Sequence, residues 1–154
     1  MNGWLTPLAV ALALSATPAQ AADPNLGRWK LSEAKSKIPK ATQKNTRVIY
    51  ETASGDRLKA TVDGVDKDGN PIHNEWMGKA DGKDYVVIGD PTTDTRSLTK
   101  VDDLHYTVVS KKGGAVTVTG KVSFSKDVKT RTLVLTGKTP DGKPLSGTWV
   151  YERQ

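Results

Sequence analysis

Residues 105–124 read HYTVVSKKGGAVTVTGKVSF, and this stretch decides the fold. Val and Thr dominate both halves, and their β-branched side chains suit a pleated, half-buried surface better than a helix. Between the halves stands Gly113-Gly114, a pair that tolerates the positive φ a tight hairpin needs. In the second half Val116, Val118, Gly120, Val122 and Phe124 fall on alternate positions, so one face is apolar at the period of a strand.

The same grammar extends in both directions. Strands are predicted near Arg28–Leu31, Arg47–Thr52, Arg57–Gly64, Pro71–Lys79, Tyr85–Ile88, Thr95–Lys100, His105–Ser110, Ala115–Phe124, Thr132–Lys138 and Leu145–Glu152. Ser54-Gly55-Asp56, Asp68-Gly69-Asn70, Asp81-Gly82-Lys83 and Asp141-Gly142-Lys143 supply turn chemistry between them. The chain is therefore all-β, an antiparallel meander. Closing into an 8-10-stranded barrel removes its two edges. A two-layer sandwich usually needs long Greek-key crossovers, and no connection after residue 47 is long enough to favour one. The one long irregular stretch is a basic connector near residues 32–46, interrupted by Pro39.

Alternation assigns the inward faces. Leu58, Ala60 and Val62 share one; Ile72, Asn74, Trp76 and Gly78 another; Leu145, Gly147, Trp149 and Tyr151 the last. With a single Phe in the chain, bulky residues are few for so many strands. Either a narrow barrel is filled by Val, Leu and Trp, or a wider one keeps a partly polar, hydrated interior. A faint repeat links Asp68-Gly69-Asn70-Pro71 and Trp76 to Asp141-Gly142-Lys143-Pro144 and Trp149. Each copy is a turn followed by a strand with an inward Trp.

The first residues carry an apolar run, Leu8–Leu14, and end in Ala19-Gln20-Ala21, the h-region and cleavage pattern of a signal peptide over residues 1–21. The run is short for the roughly 20 residues of a spanning helix. Cleavage would leave one domain, residues 22–154, with no transmembrane segment, in the periplasm or secreted. No cysteine is present, so sheet pairing and apolar burial must hold that domain. The net charge is +6, and Lys30, Lys35, Lys37, Lys40, Lys44 and Arg47 face only Glu33. Such a run suits a solvated connector or contact with an anionic surface. Basic and aromatic positions are not interleaved as in a nucleic-acid module, so no nucleic-acid partner is expected.

Catalytic and metal patterns are missing. His73 and His105 alternate away from the inward faces, which argues against a metal site. Asp66-Lys67-Asp68-Gly69-Asn70 lacks the Gly and Glu positions of a calcium loop. Ser32-Glu33-Ala34-Lys35 has the S-x-x-K spelling without the partner motifs of serine–lysine acylases. The expectation is a protein that is not an enzyme and holds no metal or cofactor. Ligand binding instead asks for an apolar enclosure with a few fixed polar groups. Trp76, Trp149 and Tyr151 supply area and hydrogen-bonding tips. Arg96 shares a face with Leu98, and if inward it needs Glu51, Glu75 or a bound anion as its partner.

Gly27-Arg28-Trp29-Lys30-Leu31 resembles the G-x-W opening of lipocalins and the first strand of fatty-acid-binding proteins, and Tyr151-Glu152-Arg153 resembles the ending of the latter. The chain is thus similar to calycin barrels from Gly27 to Gln154, with uncharacterised exported bacterial proteins of lipocalin-like pattern nearest. The resemblance implies a barrel that binds a small hydrophobic or amphipathic ligand, with Trp29 and Arg153 as its structural closure. It departs in two places: residues 32–46 leave no room for a two-helix lid, and Trp149 stands where those proteins carry an interior Arg. The competing expectation is a filled barrel that works through its surface, as an envelope protein-interaction or inhibitor module.

Overall fold

A computed structural model describes residues 21–154. The predicted leader lies, Ala21 apart, outside the described residues. Alternating sequence becomes ten strands: β1 (Gly27–Leu31), β2 (Lys44–Ala53), β3 (Arg57–Val65), β4 (Pro71–Gly78), β5 (Tyr85–Ile88), β6 (Thr95–Lys100), β7 (His105–Lys112), β8 (Ala115–Phe124), β9 (Thr130–Lys138) and β10 (Pro144–Arg153). Each pairs antiparallel with its neighbours in sequence, and β1 pairs with β10, so the meander closes into a barrel. Closure joins Trp29 to Arg153 and Leu31 to Tyr151 in register, and leaves neither sheet edge free.

Two local departures from the sequence reading matter for the interior. The ladder between β2 and β3 continues through Lys44↔Val65 past a bulge at Asn45/Arg47, with Thr46 Oγ1 donating to the Asp63 carbonyl. The connector therefore ends at residue 43, not 46. Val116 does not share the inward face of β8. A bulge opposite Ser110/Lys111 shifts the phase there, and Val116 is 56% exposed.

One end of the barrel is formed by residues 23–26 and the turns at 54–56, 79–84, 101–104 and 125–129. It is plugged by aromatics. Trp29 and Phe124 rings lie 5.5 Å apart, Tyr106 meets Phe124 edge-on at 6.1 Å, and all three are buried. Complete burial of each contributes on the order of 2–3 kcal/mol. The plug is also polar where it must be. Trp29 Nε1 donates to the Asn25 carbonyl at 2.8 Å and Tyr106 Oη to Asp23 at 3.3 Å. Burial, helped by that carboxylate, pushes the Tyr106 phenol far above its usual range.

The opposite end is formed by the connector and the turns at 66–70, 89–94, 113–114 and 139–143. A single 3-10 turn, Glu33–Lys35, leads to Lys37, which bridges to Thr148, and Ile38 packs against the core. Inward-facing Val108, Val118, Leu133 and Leu135 are only partly buried, unlike their counterparts in the plug. The inward side chains are thus more deeply buried in the plug than toward the connector end.

Candidate binding site in the barrel lumen

β9 begins Thr130-Arg131-Thr132-Leu133-Val134-Leu135, and its alternation turns Arg131 inward with the two leucines. Arg131 pairs in register with Phe124 on one side and Tyr151 on the other, and is only 5% exposed. Its guanidinium lies against two phenol rings, 5.7 Å from the centre of Tyr50 and 5.5 Å from that of Tyr151. The Nε has no hydrogen-bond partner, and among the described residues no carboxylate forms an ion pair with this side chain. Two cation–π contacts return roughly 2 kcal/mol each when desolvated. Removing a cation from water costs several kcal/mol, and its buried Nε finds no acceptor. The interior therefore holds a positive charge that the described residues do not fully compensate.

Arg96 also faces the lumen, but it has a partner. Its Nη2 lies 3.8 Å from Asp90 Oδ2, a carboxylate whose side chain is 3% exposed. Asp90 comes from the loop between β5 and β6, not from Glu51 or Glu75: Glu51 is exposed and Glu75 pairs with Lys59. Asp90 Oδ1 is held by the Thr92 N–H and hydroxyl at 2.9 and 2.7 Å. Two guanidiniums and one carboxylate leave the lumen net positive. Tyr151 registers both cations. Burial raises its phenol to about 12, while Arg131 and Arg96 each pull in the opposite direction.

A second uncompensated group sits on β4. Asn74 is 1% exposed, faces inward between Val62 across the ladder and Trp76 two residues on, and neither its Oδ1 nor its Nδ2 has a partner. Each such group costs about 1–3 kcal/mol when left unpaired.

The remaining candidates are placed as follows. Trp76 is buried, donates from Nε1 to the Arg96 carbonyl at 2.9 Å and meets Tyr85 edge-on. Its hydrogen bond thus ties β4 to β6 across the short β5. Trp149 is buried opposite Leu133, with its ring crowding Gly147. Tyr151 donates to the Asn45 carbonyl at 3.0 Å, so its hydroxyl is already used. Arg153 stacks 4.4 Å from the Trp29 ring and donates to the carbonyls of Val128, Leu26 and Pro24 at 2.7, 2.6 and 3.1 Å. These two residues fasten the plug and do not reach the lumen cation.

The patterns read for other chemistry stay apart. His73 and His105 are exposed and rest on Asp63 and Asp102. The hydrogen bonds from His73 and Arg47 hold the Asp63 carboxyl below its usual range. No group of three metal-ligating side chains converges among the described residues. Asp66 spends its oxygens on the Asp68 and Asn70 N–H groups and the Asn70 amide. Lys35 pairs with Glu152 at 2.5 Å, away from Ser32. No helix among the described residues is long and apolar enough to cross a membrane.

No protein-family model matches the chain, and no curated protein does. Two of the solved structures similar to it are redesigned β-barrels. One is a redesigned β-barrel at 16% identity and a TM-score of 0.45, over 90% of this chain and 99% of that one. Another is the redesigned β-barrel mFAP1 bound to DFHBI, at 18% identity and a TM-score of 0.40, over 84% of this chain and 95% of that one.

Sequence reading missed Arg131. The signal was there: Arg131, Leu133 and Leu135 share a phase, but a strand begun at Thr132 left Arg131 in the preceding turn.

Proposed function

We propose that this protein is an exported, noncatalytic binding protein of calycin-like architecture that carries a small anionic amphiphile in its lumen. The observation that carries the reading is Arg131, a buried guanidinium between two phenol rings with no carboxylate of the described residues to neutralise it. A carboxylate or phosphate entering headgroup first would supply both the counter-charge and an acceptor for the idle Nε–H. The half-buried Val118, Leu133 and Leu135 toward the connector end would take the apolar body. Export rests on the leader pattern of residues 8–21.

The test compares hexadecanoate with hexadecanol by calorimetric titration of the delipidated protein. The acid is expected to bind at least ~10-fold tighter, which is ~1.4 kcal/mol, and Arg131→Met should erase the difference. Equal affinities in the unaltered protein, or no binding of either, would refute the reading.

One observation favours a second reading, in which the outside of the barrel does the work. On β4 and β5 the outward Met77, Val86 and Ile88 form an exposed aliphatic patch, with Val86 66% and Ile88 68% exposed. A protein that takes up neither compound would shift attention to this face.

A further inference from the structure

We infer that the lumen has a second polar seat, Asn74, and that its ligand carries a hydroxyl or amide on its apolar body in addition to the anionic head. This rests on the anion reading of Arg131 and adds the class of amphiphile. Asn74 is buried, faces inward from the middle of β4, and presents both an unused acceptor and an unused donor. A carboxamide in that state is complementary to a group that itself both donates and accepts, which a plain alkyl chain is not. Its cross-strand neighbour Val62 and its same-face neighbour Trp76 cannot supply one: Val62 has no polar side-chain atom, and the Trp76 indole N–H is already given to the Arg96 carbonyl.

The two seats are far apart. β9 and β4 are separated by five steps in either direction around the closed ten-strand order, so Arg131 and Asn74 stand on opposite walls. For a round barrel with strands spaced about 4.8 Å and tilted about 40°, those walls are roughly 20 Å apart backbone to backbone. Arg131 reaches toward Tyr151 on β10 and Tyr50 on β2, which shortens the gap by about the length of its side chain without closing it. A single headgroup does not span that gap, whereas a chain bearing two polar groups does. Because the mid-strand position of Asn74 is farther from the plugged end than Arg131, the second group belongs on the body of the ligand behind its head.

The experiment titrates the delipidated protein with hexadecanoate, with a hexadecanoate hydroxylated in mid-chain, and with a fatty acid of the same length carrying an amide in mid-chain, and repeats the series on Asn74→Leu. At least one of the two functionalised acids should bind ~10-fold or more tighter than hexadecanoate. Asn74→Leu should remove that preference while keeping hexadecanoate affinity within ~2-fold. Should Leu not fit, Asn74→Ala removes the same two groups without added volume. A preference that is absent in the unaltered protein, as when water satisfies Asn74, or that survives the substitution, would overturn the inference and leave the Arg131 reading standing. Failure of all three acids to bind would overturn both.

Discussion

Replacing Arg131 with Met separates a cation kept for a ligand from one kept for the fold. Met has comparable reach, fills irregular space and removes the charge. The loss side is two cation–π contacts to Tyr50 and Tyr151, ~2 kcal/mol each when desolvated. The gain side is relief of burying a guanidinium whose Nε has no partner, several kcal/mol. Hydrophobic replacement of even well-paired buried ions is often stabilising by ~1–4 kcal/mol. The ligand-free variant should therefore be more stable than the unaltered chain by about 1–3 kcal/mol. For a domain of this size that raises Tm by roughly 3–10 °C. Differential scanning calorimetry on delipidated protein reads it directly. Ligand should invert the order: at 100 times Kd it stabilises the unaltered protein by ~2.7 kcal/mol and the variant hardly at all. A ligand-free Arg131→Met that melts lower by more than ~1 kcal/mol would refute the reasoning, because the cation would then be compensated within the fold.

Arg153→Lys tests the plug. A point-charged ammonium can replace one of the three carbonyl contacts and part of the stack on Trp29, so the loss should be ~2–3 kcal/mol in urea unfolding, with acid binding unchanged in the folded protein. Tyr151 sets an alkaline limit. Its phenol is raised from 10.0 to about 12 in the fold, so the unfolded chain releases that proton first as pH rises. The stabilisation is complete below pH 10 and lost between pH 10 and 12, on the order of 2–3 kcal/mol in all. Tyr151→Phe should lack that component of the decline in a pH series of urea midpoints, and an unchanged slope would discount it.

Strand number and closure were legible because two local signals agreed: period-two alternation and Gly-Asp turn chemistry. Trp76, Trp149 and Tyr151 were assigned to inward positions from the same alternation, and Trp29 to the closure from the resemblance of its strand to the G-x-W opening. What failed depended on phase or on distant partners. One bulge residue in β8 turned Val116 outward, and a strand start placed two residues late hid Arg131. Asp90 could not be named as the partner of Arg96, because a loop carboxylate has no periodicity and reaches the site only through tertiary placement. Asn74 was on a predicted inward face, yet alternation shows only where a side chain points. That both its polar atoms lack partners is a property of everything around it.

The distribution of order along the barrel gives the proposed ligand a direction. Arg131 stands beside the aromatic plug, where the chain has spent its largest side chains and where water is least available. An anion is worth most in such a place, because low dielectric strengthens its attraction to the guanidinium. It is also hardest to bring there unless an apolar tail repays the loss of hydration behind it. A free inorganic anion has no tail and gains little by entering. A neutral lipid has the tail but leaves Arg131 as it was. Only a molecule with both satisfies the cation and covers Val118, Leu133 and Leu135 at once. The net charge of +6 acts earlier, by drawing anions toward the protein, and this contribution falls with ionic strength. Raised salt should accordingly slow association more than it speeds dissociation, since the charge pair inside the barrel is shielded from the ions outside.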